Sequence, residues 1–373
     1  MQKVGSQRWS AEVDEAGRAS ITFGSPSFWL VAGQPTRHPS RGHRQLGAGA
    51  TVIDDPVLID DWHPVATVRQ LALGRPVGVR LLGEDIVVWQ AGERPLAWQD
   101  LCVHRGTRLS LGRIEGCTLQ CAYHGWVYDA DGQCVRIPAL PDAPPPRKAR
   151  VKTYRATVCY DLIWVSLGDP THEPPPFPEW QADGFRQLLC GPYPVVASGP
   201  RIVENFLDVA HFPFVHENIL GTPDRPEIAD HQAVIGDQGV EATGVRVWQP
   251  DPYGTGQGDW VSYTYRALRP LTAYLLKESE GPRFSILLTI TPHEPARSTA
   301  WMWMAMNYGH DIPDADLTAW QDRIFAQDRP ILESQRPELL PLDLAAELNV
   351  RADRTAVMYR RWLRQLGLTF GTA

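Results

Sequence analysis

The chain is short of cysteine, has no long apolar run and carries no excess of basic charge, and each shortage removes a class of protein. No stretch of about 18 apolar residues is present to cross a bilayer. The opening MQKVGSQRWSAEVDEAGRAS lacks the basic start, apolar middle and small-residue cleavage site of a secretory signal, so a cytoplasmic location is expected and no membrane partner. The 36 Lys and Arg stand against 43 Asp and Glu, a net charge of −7 with the signs interspersed. Without a basic stripe to neutralise a phosphate backbone, nucleic acid is not an expected partner. Six cysteines in 373 residues (Cys102, Cys117, Cys121, Cys134, Cys159 and Cys190) are too few for a disulfide framework. No GxGxxG motif follows a strand pattern, and no internal repeat is evident. What is there is an ordinary globular composition, 43% hydrophobic and 21% charged, in a chain long enough for two cored domains.

Residues 1–55 show no sustained period and are rich in Gly, Arg, Ser and Pro around GQPTRHPSRGHRQLGAG. They read as an N-terminal extension with one candidate strand, SFWLVAG. From residue 56 to 169 the pattern changes to short β-branched runs between turn formers: VGVRLL, DIVVWQA, TLQCAYHGWVYD, CVRIP and DLIWVSLGD. These predict an all-β antiparallel domain. THEPPPFPEW then reads as a stiff linker. Residues 170–373 mix a partly helical segment from Glu204 to about His216, strands in VRVWQ, WVSYTYRA, LTAYLLKE, FSILLTI and AWMWMAMNY, and helices in DLTAWQDRIFAQDRPILESQ and VMYRRWLRQLG. The fold class is therefore α+β, the second domain being helix-grip-like, a curved antiparallel sheet around a helix. In Trp301–Met306 the alternation gives two apolar faces: one lines a pocket, or the strand is buried on both sides.

In LCVHRGTRLSLGRIEGCTLQCAYHGW, Cys102 and His104 form a C-x-H pair and Cys121 and His124 a C-x-x-H pair, with sixteen residues between the pairs. Two Cys on one iron and two His on the other suit a two-iron, two-sulfide cluster, in which imidazoles replace two negative charges and raise the potential. Gly106 and Gly125 allow tight loops whose N–H groups can face sulfur. Two Cys and two His also suit tetrahedral zinc, although zinc fingers usually pair like with like rather than mixing one of each per loop. The other four cysteines read as buried reduced thiols.

Downstream, ENFLDVAHFPFVH places Asp208, His211 and His216 in a D-x-x-H-x-x-x-x-H arrangement. Two neutral imidazoles and a carboxylate on one side of Fe(II) leave open positions for dioxygen and substrate. His211 and His216 are about 140° apart on an ideal helix, so they converge only if the helix bends or ends, which Pro213 can cause. Either histidine alone reads equally as a hydrogen-bonded core residue. A further carboxylate must come from elsewhere. Asp328 shares a helix face with Leu317, Trp320, Ile324 and Ile331, a costly place for a charge unless it is paired or metal-bound. Asp316, Asp322 and Glu333 compete with it, and Asp328 can instead be a surface carboxylate beside a break at Pro330.

The strings CVHRG and CAYHGW, with DDWHPVATV and DLIWVSLG around them, resemble the Rieske domain of ring-hydroxylating and demethylating oxygenases. The resemblance runs from about Asp60 to the C-terminus. It implies a [2Fe-2S] cluster on Cys102, His104, Cys121 and His124, and a mononuclear Fe(II) on His211, His216 and Asp328. It further implies that Asp208 bridges a ligand histidine to a cluster histidine of the neighbouring subunit. Glu204 and Asn205 match the ENxxD start of the demethylase branch, which would put Asn205 near the iron, whereas by itself Asn205 reads as a solvent-facing or capping residue. The length and VMYRRWL also look like that branch, whose members are homotrimers removing N- or O-methyl groups from purine alkaloids, vanillate or dicamba. Electrons would come from an NAD(P)H-dependent reductase, directly or through a ferredoxin, and the substrate, with O2, would be an aromatic or heteroaromatic small molecule. Arene cis-dihydroxylation and other C–H hydroxylation use the same scaffold. A Rieske electron carrier fused to a ligand-binding domain, and a zinc protein, are the readings from other classes.

Overall fold

The computed structural model describes residues 54–278 and 281–373. The candidate strand SFWLVAG lies outside them. Ten strands come first: β1 (His63–Thr67), β2 (Val77–Leu81), β3 (Glu84–Ala91), β4 (Arg94–Gln99), β5 (Arg113–Glu115), β6 (Thr118–Gln120), β7 (Val127–Tyr128), β8 (Cys134–Arg136), β9 (Thr153–Cys159) and β10 (Leu162–Ser166). They form a six-stranded sheet ordered β1-β10-β9-β4-β3-β2 and a four-stranded sheet ordered β5-β6-β7-β8. Every pairing is antiparallel, as short runs between tight turns require. Single-turn helices α1 (Pro56–Ile59) and α2 (Val68–Leu71) flank β1.

Strand β3 is buried at Ile86, Val87, Val88 and Trp89, the β-branched and aromatic run that made it legible. Its hairpin with β2 turns on Leu82 and Gly83, both at positive φ. Leu82 is buried there because the turn docks on the second half of the chain, donating from its N–H to the Pro292 carbonyl. Strands β4 and β9 do not stand out in the sequence, since Arg-Pro opens the first and leaves it only the short apolar run Leu96–Trp98, and the second alternates with exposed residues.

The second half contains β11 (Arg186–Val195), α3 (Gly199–Leu207), α4 (Phe212–Val215), β12 (Gln232–Gly236), β13 (Gly239–Gln249), β14 (Asp259–Arg269), β15 (Thr272–Glu278), β16 (Phe284–Glu294), β17 (Arg297–Met306), α5 (Asp314–Ser334) and α6 (Arg354–Leu366). Its seven-stranded antiparallel sheet has the order β11-β17-β16-β15-β14-β13-β12. The sheet curves over α3, and α5 and α6 pack at β11 and at β12–β13. Strand β11 escaped notice because it carries Pro192 and Pro194, which an edge strand tolerates at a register shift between Cys190 and Tyr193. Trp301–Met306 is buried on both sides, and Met302 and Met306 on one of them also border a cavity, so both readings of that strand hold.

Three expectations change. The proline-rich stretch is docked rather than a free spacer: Phe177 is buried, its N–H donates to Tyr160 Oη, and Trp62 Nε1 donates to the His172 carbonyl. Of the four non-motif cysteines only Cys134 and Cys190 are buried. Cys117 is exposed because Gly116 and Cys117 form the tip of the β5–β6 hairpin, and Cys159, at the end of β9, is half-buried. Finally, α5 does not break at Pro330 but runs on to Ser334. Among the described residues no helix is long and apolar enough to cross a membrane.

Candidate functional site

The two Cys/His loops are near copies of each other. In one, Cys102 N–H donates to the Thr107 carbonyl and Gly106 N–H to that of Cys102; in the other, Cys121 N–H donates to the Trp126 carbonyl and Gly125 N–H to that of Cys121. Gly106 and Gly125 sit at φ +72° and +69°, where a side chain would be strained, and a Cβ on Gly125 would come 3.1 Å from Pro138 Cγ. The cysteines are buried, while His104 is half-buried and His124 exposed. Cys102 Sγ lies 3.1 Å from Tyr128 Oη, a hydroxyl able to donate to a thiolate. His104 stacks on Trp126 with ring centroids 4.4 Å apart and meets His124 edge-on at 4.5 Å. Burial, then the neighbouring His124 and Arg105, lower the His104 pKa, which keeps its ring in the neutral form that binds metal. Its buried Nδ1 has no hydrogen-bond partner. Among the described residues no three of these four side chains bring ligand atoms within 4.8 Å of one another, whereas one zinc would hold all four within about 4 Å. The spread suits two irons.

The second constellation is tight: His211, His216 and Asp328 offer ligand atoms all within 4.8 Å. The chain leaves the helical conformation at Asp208, which caps α3 with extended backbone, and restarts as α4 between His211 and His216. The break thus falls before Pro213. That proline opens α4, where its missing N–H costs nothing. From the other side α5 supplies Asp328, buried as its apolar face predicted. The competing carboxylates lie elsewhere: Asp322 accepts from Tyr193 Oη at 2.6 Å, Glu333 accepts from Val196 N–H at 3.1 Å, and Asp316 is exposed at the cavity mouth.

Proton bookkeeping shows what this cluster needs. His211 Nδ1 is 3.0 Å from Asp208 Oδ2, and His216 Nδ1 is 3.0 Å from Gln327 Oε1. Both acceptors require the proton on Nδ1, so each neutral ring presents a bare Nε2 lone pair inward. These Nε2 atoms are 3.2 Å apart and lie 3.5 and 3.1 Å from Asp328 Oδ1. That oxygen is buried, and neither contact is aligned as a hydrogen bond. Three acceptors facing one another without a donor call for a cation, and two imidazoles with one carboxylate fit divalent iron. Burial opposes protonation of His216, but Asp328 and Gln327 outweigh it and raise its pKa, the response of a ring held in a field that favours positive charge. Gln327 was missed at the sequence level; its one signal was adjacency to Asp328.

The triad borders a cavity of about 430 Å³, a size typical of small-molecule sites. Asn205 lines it, with Phe206, Tyr263, Tyr265 and Met302. Its sequence neighbour Glu204 points into a buried charge network instead. Arg360 Nη2 donates to Glu204 Oε2 at 2.8 Å and to Glu347 at 2.5 Å, and Arg201 Nη2 donates to Glu347 at 2.6 Å. Burial raises the Glu204 pKa despite Arg360 and Arg201; for the half-buried Glu347 the two arginines outweigh burial and lower it.

Comparison with known proteins finds a Rieske [2Fe-2S] domain over residues 61–155 and a vanillate O-demethylase oxygenase C-terminal domain over residues 195–369. Methylxanthine N1-demethylase NdmA of Pseudomonas putida is 33% identical over 318 residues, 82% of this chain and 88% of that protein. Its structure with caffeine superposes with a TM-score of 0.73 at 32% identity, covering 83% of this chain and 90% of the other. Oxidoreductase NdmD of the same organism is 40% identical over 118 residues, 31% of this chain and 20% of its own length.

Proposed function

Because the chain belongs to the Rieske non-haem iron oxygenases, on the branch that holds the demethylases, we propose that it removes a methyl group from nitrogen or oxygen of an aromatic or heteroaromatic small molecule. The observation that carries this reading is the set of three inward lone pairs, from His211, His216 and Asp328, on the wall of a cavity of substrate size. Residues 56–169 would form the cluster domain, with Cys102, His104, Cys121 and His124 as ligands, and residues 170–373 the catalytic domain. When bound, the cluster would supply electrons singly and an Fe(II) the site of dioxygen activation.

The chain's own residues then have separable tasks. Asp208 and Gln327 fix the tautomers of His211 and His216 so that both ligand nitrogens stay unprotonated. Asn205, on the cavity wall, would orient the substrate's methyl-bearing heteroatom. Met302, Met306, Phe206 and Ile286 exclude water and give the substrate ring an apolar surface. Hydroxylation of the methyl carbon consumes O2, two electrons and two protons and releases water, and the resulting hemiaminal or hemiacetal loses formaldehyde. The electrons come from an NAD(P)H-dependent reductase, directly or through a ferredoxin, and the working assembly is a cytoplasmic homotrimer. A reductase partner is supported by the likeness to methylxanthine N1-demethylase NdmA and to Oxidoreductase NdmD of the same organism.

Iron, zinc and acid-labile sulfide per chain on anaerobically purified protein test the cofactor content. About three irons with two sulfides are expected. Two irons, unchanged in His216→Ala, would instead favour an electron carrier, and zinc without sulfide would overturn the reading.

A further inference from the structure

The cavity wall opposite in character to its apolar lining is built around one lysine. On β15, Leu275 and Lys277 face the cavity while Tyr274 and Leu276 face the other side of the sheet. Lys277 is only 7% exposed, and among the described residues it is the one Lys or Arg that lines the cavity. Its Nζ donates to the Pro252 carbonyl and lies 4.6 Å from the centre of the Tyr253 ring. Among the described residues no carboxylate reaches it within 4.0 Å. Asp251, the nearest negative influence, is exposed and accepts from Gly256 N–H at 3.0 Å. Burial pushes the lysine down to about 8, so it is still charged at neutral pH. An ammonium group has three donors, and one carbonyl with one ring face leaves it short of partners. Anchoring the connection between β13 and β14 would need no charge at all. A buried cation with no counterion among the described residues, on the wall of a largely apolar cavity, is completed by an anion that arrives with the ligand.

We propose that Lys277 selects substrates bearing a carboxylate, held by its ammonium group at the Pro252–Tyr253 wall while the ring lies on the apolar surface facing the triad. The inference rests on the reading of this cavity as the substrate site. Tyr253 and Tyr308 line the same wall and offer hydroxyls to the same carboxylate, and Gln249 is held there by donating to Tyr263 Oη at 2.9 Å.

The test is calorimetric binding to the full-length, iron-loaded protein of 3- and 4-methoxybenzoate and 4-(methylamino)benzoate, each against its neutral benzamide. In the unsubstituted protein each acid should bind about 10-fold more tightly than its amide. The preference should vanish in Lys277→Met, which keeps the volume, and persist in Lys277→Arg, with iron and sulfide content unchanged in both. Raising the pH from about 7 to about 9.5 should weaken binding of the acids and not of the amides. Of the groups facing Lys277, Tyr263 is pushed higher by burial, Tyr308 is pushed up to about 12, and the Asp251 carboxylate and Tyr253 hydroxyl lie on the same wall. Equal binding of acids and amides, no measurable binding of any acid, or an acid preference that survives Lys277→Met would each overturn the proposal. Calorimetry needs no turnover, so acids that bind selectively but release no formaldehyde would count against the demethylase reading and leave the anion site standing.

Discussion

Two imidazoles turn bare nitrogens toward one carboxylate oxygen only because their other nitrogens are occupied, so the centre's behaviour rests on two residues outside the triad. Asp208 takes His211 Nδ1–H on Oδ2 and Ala210 N–H on Oδ1 at 2.8 Å, which fixes its plane against the start of α4. Asp208→Asn preserves the shape and the acceptor oxygen while removing the charge. Iron and sulfide should be retained, the cluster should still be reducible, and turnover should fall by roughly 10–100-fold or more. Normal product formation in that variant would remove Asp208 from the electron path. Gln327 tests the other ring separately. Gln327→Leu leaves the His216 Nδ1–H buried without an acceptor, at a cost of about 1–3 kcal/mol, and releases its tautomer. Iron should bind roughly 10–100-fold more weakly, with the cluster spectrum unchanged, and Gln327→Glu should restore it. Equal iron affinity in all three proteins would mean that the contact is incidental.

At the level of elements, the triad depends on α3 ending where it does, and α3 is clamped to α6 by charge rather than by apolar packing alone. Arg201 and Glu204 on α3 meet Arg360 on α6 and Glu347 between α5 and α6, all but Glu347 buried. Removing one member of such a network strands the rest. Arg360→Met should lower unfolding stability by about 3–5 kcal/mol, read from the shift in denaturant midpoint, whereas a change below about 1 kcal/mol would mean that water replaces the guanidinium freely. This network also marks the limit of what the sequence discloses. Both proposed metal-ligand sets stand out in the sequence because chemistry fixes their residue types and local spacing, and Asp328 stands out as a carboxylate on an apolar helix face. Glu204 and Arg360 are 156 positions apart, and nothing local distinguishes them from solvated charges. The same holds for β11, whose prolines mimic a loop until its edge position is known, and for Lys277, whose burial follows from where β15 lies in the sheet.

For the whole molecule the question is where an electron leaves the cluster. The cysteine side is buried, while His124 is exposed and His104 half-buried, so the histidine side of the loops is the one open to its surroundings. Asp208 is itself 34% exposed at its side chain, and reaches the surface from the metal side. Each chain thus offers an accessible histidine of the proposed cluster site and an accessible carboxylate hydrogen-bonded to the proposed metal ligand His211, complementary features that the proposed homotrimer would bring together between neighbours. The proposed trimer makes a quantitative prediction. His124→Ala would remove a proposed cluster ligand, and His216→Ala a proposed ligand of the mononuclear centre. Each protein alone should be inactive. When both are co-expressed and trimers carrying both are purified through two tags, about a third of neighbouring pairs should join an intact cluster to an intact metal centre if transfer runs one way round the ring. Activity near that fraction would place the electron path between chains. If transfer were confined to a single chain no polypeptide in the mixture would have both centres, and the mixed trimers would be as inactive as their parents.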